Sequence, residues 1–158
     1  MIEQETARVN KFLIMKMKTK LTLSKTRRMY FKAAAAMAQL SDFPRVKVGC
    51  IAVYGHRIIS SGFNTSKTDP IQKRYNRYRF TEDTPAAAHA ETICLKPLIG
   101  RDDIDFKKVD LYIYRSGKKG IPLLARPCIS CTQLIRDLGI RNVYFSNNGG
   151  YSHETILE

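Results

Sequence analysis

The chain has 158 residues, enough for one domain with its own core, and 44 % hydrophobic with 26 % charged residues is ordinary globular usage, which excludes a largely disordered chain. Its 27 Lys and Arg against 14 Asp and Glu give a net charge of +13, a field that favours anionic partners and says nothing about fold. No apolar run reaches the ~18–20 residues of a spanning helix, and Phe12 to Met15 is shorter than the ~7–15 apolar residues of a signal peptide, so the expected location is cytoplasmic, with no membrane partner.

Residues 1–22 read as a basic N-terminal extension, and residues 23–158 as a single domain without repeats or low-complexity linkers. From Thr6 to Ser41 there are nine Lys or Arg and no acid. Ser24 to Leu40 reads as a helix with Ser24 as its cap, ended by Asp42-Phe43-Pro44. Val46 to Val53 and Arg57 to Phe63 are β-branched and apolar around Tyr54-Gly55-His56, the pattern of a hairpin. Asn64 to Ala88 is a long polar loop. Ala88 to about Lys96 predicts a helix stopped near Pro97, and Val109 to Tyr114 a strand. Gly117 to Pro127 is a basic loop, Cys128 to Leu138 a helix ended by Gly139, and Asn142 to Ser146 a strand. Strands alternating with helices imply an α/β domain whose sheet is partly parallel.

Two short motifs carry chemistry: His89-Ala90-Glu91 and Pro127-Cys128-Ile129-Ser130-Cys131, each at the start of a predicted helix. Either alone is weak, since a His-Ala-Glu turn occurs by chance and a C-x-x-C pair also serves redox chemistry or simple packing. Together they specify more. Cys128 and Cys131 share one helical face, and a helix N-terminus favours the thiolate that a metal needs. One imidazole and two thiolates suit Zn2+, and three protein ligands leave a position open to water, as catalytic sites do. Cys94, five residues after His89, lies roughly 140° around the helix and points elsewhere. Cys50, His56 and His153 read as core or surface residues. Glu91, at i+2 from His89, is badly placed as a shared ligand and well placed as a carboxylate beside the metal-activated water, able to move protons to a ring nitrogen and a leaving amine. A thiol oxidoreductase and a non-catalytic nucleic-acid-binding protein with structural zinc are the competing readings; the first predicts no stoichiometric zinc, and Glu91 with no fourth ligand argues against the second.

These motifs resemble the signature of the cytidine and deoxycytidylate deaminase superfamily, His-x-Glu followed by Pro-Cys-x-x-Cys with a Glu that is not a ligand. The order of elements from Ser24 to Ser146 resembles that family too, and deoxycytidylate deaminase-like members most. The resemblance implies a three-layer α/β fold with a mixed sheet of four to five strands flanked by helices. It implies hydrolytic deamination of a cytosine base in a nucleotide or nucleoside, with Glu91 catalytic and His89, Cys128 and Cys131 holding Zn2+. It also implies that Asn64 contacts the sugar, and that the Ala90 N–H and a carbonyl near Arg126 read the base. Because the chain ends soon after Ser146, the family's last helix and fifth strand are expected to be shortened or missing. The loop before His89 has no Cys or His for a second zinc.

Lys67, Arg74, Arg77 and Arg79, interleaved with Tyr75 and Tyr78, offer an ammonium and three guanidinium forks for phosphate and rings for stacking on a base. A free nucleotide such as dCMP fits the long loop. Single-stranded DNA or a tRNA loop, carrying cytosine or adenine, fits the excess charge and the basic N-terminal region. A homo-oligomer is left open.

Overall fold

The protein is described by a computed structural model that covers residues 21–79 and 86–156. The predicted extension lies outside the described residues up to Lys20. At its end Leu21 is tied to the domain, donating its N–H to the Tyr151 carbonyl at 3.0 Å.

Helix α1, Lys25–Ala38, starts where Ser24 Oγ accepts from the Arg27 N–H. Strands β1, Lys47–Tyr54, and β2, Arg57–Phe63, form the expected antiparallel hairpin. The 64–88 segment holds more order than its polar composition suggests: α2, Pro70–Tyr75, capped by Asp69, and a 3-10 turn, Asn76–Tyr78. α3, Ala90–Leu95, gives way to a 3-10 turn at Lys96–Leu98 containing Pro97. Strand β3, Asp110–Ser116, is followed by a two-residue strand β4, Pro122–Leu123. α4, Ile129–Leu138, ends on Gly139 at φ +90°, and β5, Asn142–Asn147, turns into β6, Gly150–Thr155.

The sheet is mixed, in the order β2-β1-β3-β5-β6 with β4 beside β3; among the described residues only β3 and β5 run parallel. Six strands among the described residues stand where four to five are expected. The two additions are β4, inside the presumed 117–127 loop, and β6, where a shortened C-terminus was expected. Both escape periodicity: β4 is two residues long, and β6 (GYSHET) has no alternation of apolar and polar side chains, Tyr151 being its one large ring among small and polar residues.

Strand period divides the core between two faces. Ile51, Val53, Tyr112, Tyr114 and Tyr144 face α1, meeting Phe31, Ala34 and Ala38. Cys50, Ala52, Leu111, Ile113, Val143 and Phe145 face the other way, against α3 and α4. This is the three-layer arrangement. Two glycines set how closely the helices lie. A Cβ on Gly49 would come 2.0 Å from the Ala34 carbonyl oxygen of α1, and one on Gly62 would come 2.5 Å from the Cys94 N of α3. Among the described residues no helix is long and apolar enough to cross a membrane.

Candidate active site

β3 and β5 are joined through α4, so the N-terminus of α4 lies at the C-terminal end of β3, where open α/β sheets place their sites. Cys128 is the N-cap of α4 and Cys131 lies in its first turn. His89 is the N-cap of α3 and makes no side-chain capping bond. Two helix starts thus bring His89 Nδ1 within 3.5 Å of Cys128 Sγ and 3.4 Å of Cys131 Sγ. All three ligand atoms lie within 4.8 Å of one another, and among the described residues no other group of three such side chains does so.

The donor set fits zinc: one imidazole and two sulfurs, with no fourth protein donor in the group. The Cys128 thiol is pulled down to about 3, chiefly by its bond with Cys131 and further by His89, against the effect of burial; it stands ready as a thiolate. Cys131 shifts the opposite way, raised by the same bond and by burial. His89 is raised, since the Cys128 bond and the charges of Glu91 and Cys128 outweigh its desolvation. Burial raises the Glu91 carboxyl, a shift only partly offset by His89.

Glu91 is 6 % exposed and stands outside the ligand trio. It lines a cavity of about 480 Å³ together with His89, Cys128, Ala90, Asn64 and Arg126. Of the residues expected to bind substrate, the cavity gathers Asn64, Ala90, Arg79 and Arg126. It does not gather Lys67, Arg74, Arg77 or Tyr75. The Tyr75 hydroxyl donates to Asp137 of α4 at 2.8 Å, and Arg77 lies over its neighbour Tyr78 with the guanidinium carbon 5.0 Å from the ring centroid. Lys67 and Arg74 are exposed. The short helix α2 turns Tyr75 towards α4 and Arg74 to the surface.

Asn64 is at the cavity but already employed. Its Oδ1 accepts from the Val48 N–H at 2.9 Å, and its Nδ2 donates to the Val46 carbonyl at 2.7 Å, clamping the entry to β1. Arg126 forms a two-pronged pair with Glu154, 2.9 Å on each prong. The other candidates fall where expected. Cys50 and Cys94 are buried, and His153 stacks on Tyr144.

Sequence reasoning missed Gln72. This fully buried side chain accepts from the His89 backbone N–H at 3.0 Å and the Thr92 hydroxyl at 2.6 Å, and donates to Asn76 at 2.9 Å. It fastens the start of α3 while the His89 imidazole faces the sulfurs. Its one sequence signal is an amide in a loop, which points nowhere in particular.

A family model, the cytidine and deoxycytidylate deaminase zinc-binding region, matches residues 24–147. Among curated proteins none matches. Among solved structures, dCMP deaminase from the cyanophage S-TIM5 in apo form is similar at a TM-score of 0.57 and 23 % identity, over 81 % of this chain and 87 % of that one. The structure of that enzyme in complex with dCMP and dUMP gives 0.55 at 23 % identity, over 79 % and 83 %. Cytidine deaminase from Burkholderia pseudomallei gives 0.57 at 14 % identity, over 85 % and 94 %. These likenesses show a shared fold, and with the match over residues 24–147 the chain belongs to the cytidine and deoxycytidylate deaminase family.

Proposed function

We propose that this chain hydrolytically deaminates a cytosine base in a nucleotide or nucleoside, giving the uracil product and ammonia. The observation that carries the reading is the convergence of His89, Cys128 and Cys131 within 4.8 Å beside the buried Glu91, on one cavity. His89, Cys128 and Cys131 hold zinc, which when bound supplies the Lewis acidity that makes water nucleophilic near neutral pH. Glu91 takes the proton of the attacking water and delivers it to the ring nitrogen; it then takes the second proton from the hydroxyl now on the ring carbon and passes it to the amine, which leaves as ammonia while the carbonyl forms. Both services are needed, because attack breaks aromaticity and an amide anion does not leave. The Ala90 N–H at the start of α3 and a carbonyl near Arg126 orient the base. Asn64, through its remaining lone pair and N–H, meets the sugar.

A second reading is deamination within a polynucleotide. It is supported by the net charge of +13 and by Lys25, Arg28 and Lys32, all exposed along α1, a helix with no acid in it. A panel of dCMP, deoxycytidine, cytidine, adenosine and single-stranded DNA or RNA, run at two salt concentrations, decides. The first reading expects ammonia release from a cytosine monomer with shallow salt dependence; activity confined to polynucleotides with a steep salt slope replaces it by the second. Glu91→Gln is expected to keep stoichiometric zinc and lose ~100- to 10 000-fold in kcat. Loss of metal and activity together removes Glu91 from its assigned role.

A further inference from the structure

The first two turns of α1 stand between two clefts that the deamination chemistry does not use. On the outer side Lys25, Arg28 and Lys32 share one helical face with Met29 and, with Leu23, line a groove of about 520 Å³. On the inner side α1 meets the β1–β2 turn and the start of β3 around a cleft of about 690 Å³, whose lining includes Tyr30, Tyr54, His56, Lys108 and Asp110. The Tyr30 hydroxyl donates to the His56 carbonyl at 3.1 Å, which fastens the hairpin turn to α1 and fixes one wall of the cleft. Tyr30 and Tyr54 are half-buried and keep ring surface open to it. Arg27 is scaffold: its Nη2 donates to the Tyr144 hydroxyl at 3.0 Å, and its guanidinium lies over that ring.

Both clefts are remote from Glu91. Val48 lines the catalytic cavity and Val53 lines the tyrosine cleft, five residues further along β1, or ~17 Å. Val53 and Tyr112 also face α1, on the opposite side of the sheet from α3 and α4. A ligand held here is not the base at the metal ligands.

The charge is one-sided. The first turn of α1 has no acid, so Lys25, Arg27 and Arg28 crowd the positive end of the helix dipole, an arrangement that an incoming anion relieves. Lys25, Arg28, Lys32 and Lys108 are exposed and form no ion pair among the described residues. An anionic membrane is a poor match. The apolar side of α1, with Phe31, Ala34 and Ala38, is spent on the sheet, and Met29 is the one large apolar side chain that the helix exposes, so there is little to insert. A polyanion that carries flat rings matches both clefts: phosphates on the lysine and arginine stripe, unpaired bases on Tyr30 and Tyr54, and a base amino group on Asp110, the one acid of the lining. In a duplex those ring faces are already stacked. We infer that the start of α1 and the β1–β2 turn form a docking site for single-stranded nucleic acid, separate from the catalytic cavity. The inference goes beyond the deaminase reading and holds whether the target base is free or part of a strand.

Fluorescence anisotropy of a labelled, mixed-sequence DNA strand of about 20 nucleotides tests this on the full, zinc-loaded chain, between about 50 and about 200 mM salt. Wild type is expected to bind the strand saturably and more tightly than the same sequence as a duplex. The triple variant Lys25→Glu, Arg28→Glu, Lys32→Glu is expected to bind ~30-fold or more weakly, and to flatten the slope of log affinity on log salt by ~2, as three lost phosphate contacts at ~0.7 each require. Tyr54→Leu is expected to lose ~5- to 100-fold with the slope unchanged, as lost stacking does. Zinc content and melting temperature report whether each variant is folded. Hydrogen exchange of wild type with the strand bound needs no variant: it is expected to slow over residues 24–32 and 54–57. Slowing confined to 87–91 and 124–131 places the strand at the catalytic cavity and overturns the inference. No binding, a duplex bound as tightly, an affinity unchanged in either folded variant, or binding to phosphatidylserine–phosphatidylcholine vesicles in place of the strand overturns it too. A strand bound at α1 with no ammonia released from any cytosine substrate leaves this surface standing and removes the deaminase reading; ammonia from dCMP with no strand bound does the reverse.

Discussion

Replacing Gln72 with leucine tests whether the His89 imidazole, proposed above to bind zinc, is positioned by the segment before it. Gln72 is fully buried, and its Oε1 serves two buried donors, the His89 backbone N–H and the Thr92 hydroxyl. Leucine has nearly the same volume and no acceptor, so both donors are stranded. Each stranded donor costs about 1–3 kcal/mol, and the apolar side chain returns about 1 kcal/mol of transfer free energy, leaving a net loss of about 1–5 kcal/mol. For a domain of this length that is a melting temperature lowered by ~3–15 °C in differential scanning calorimetry of the zinc-loaded protein. Because the bond to His89 anchors the start of α3, zinc transfer to a chelator should also accelerate, by ~10-fold or more. Thr92→Ala removes one donor, so the double variant should lose about 1 kcal/mol less than the sum of the singles. A melting temperature within 2 °C of wild type together with unchanged zinc release would refute the positioning role.

Gly62→Ala places a Cβ 2.6 Å from the Ala90 carbonyl oxygen and 2.5 Å from the Cys94 N, both backbone atoms of the helix that carries Glu91. The helix has to move outward. Urea denaturation should show a loss of about 1–3 kcal/mol, and kcat/KM should fall at least ~10-fold; a silent substitution means that α3 is not seated on β2 as described. Asp69 makes a pH prediction. Burial favours its neutral form, but the Lys96 ammonium at 2.7 Å and the N–H groups of Ile71 and Gln72 outweigh that and hold its folded pKa below the ordinary carboxylate value. The stabilisation is therefore present above the unfolded pKa, near 3.8, and disappears as pH falls through the lower folded value. Urea midpoints of wild type and Asp69→Asn should differ at pH 6 and converge towards pH 3; a constant difference contradicts the ion-pair account.

The chemistry of this protein is legible in its local sequence because each motif places its own ligands. A C-x-x-C at a helix start puts two sulfurs on one face under a favourable dipole, and His-Ala-Glu puts an imidazole and a carboxylate on different faces of one turn. The hairpin around Gly55 and the helix stops at Pro97 and Gly139 are equally local, decided by turn chemistry and a missing N–H. The family signature, the candidate zinc ligands and most of the sheet follow from such short-range rules.

Only tertiary structure decided which polar side chains serve the cavity and which serve the scaffold. Asn64, in the position that the family resemblance assigns to the sugar, serves both: it clamps backbone partners 16 and 18 residues away and keeps one Oδ1 lone pair and one N–H at the cavity. Tyr75 and Arg77, which look like a nucleotide grip, turn towards α4 and a neighbouring ring, whereas Arg115, which looks like an ordinary strand residue, lines the cavity. The physical reason is that a polar group's availability depends on where its hydrogen bonds go. Those bonds are made to groups brought near by the packing of α3, α4 and the sheet, and sequence spacing does not encode them.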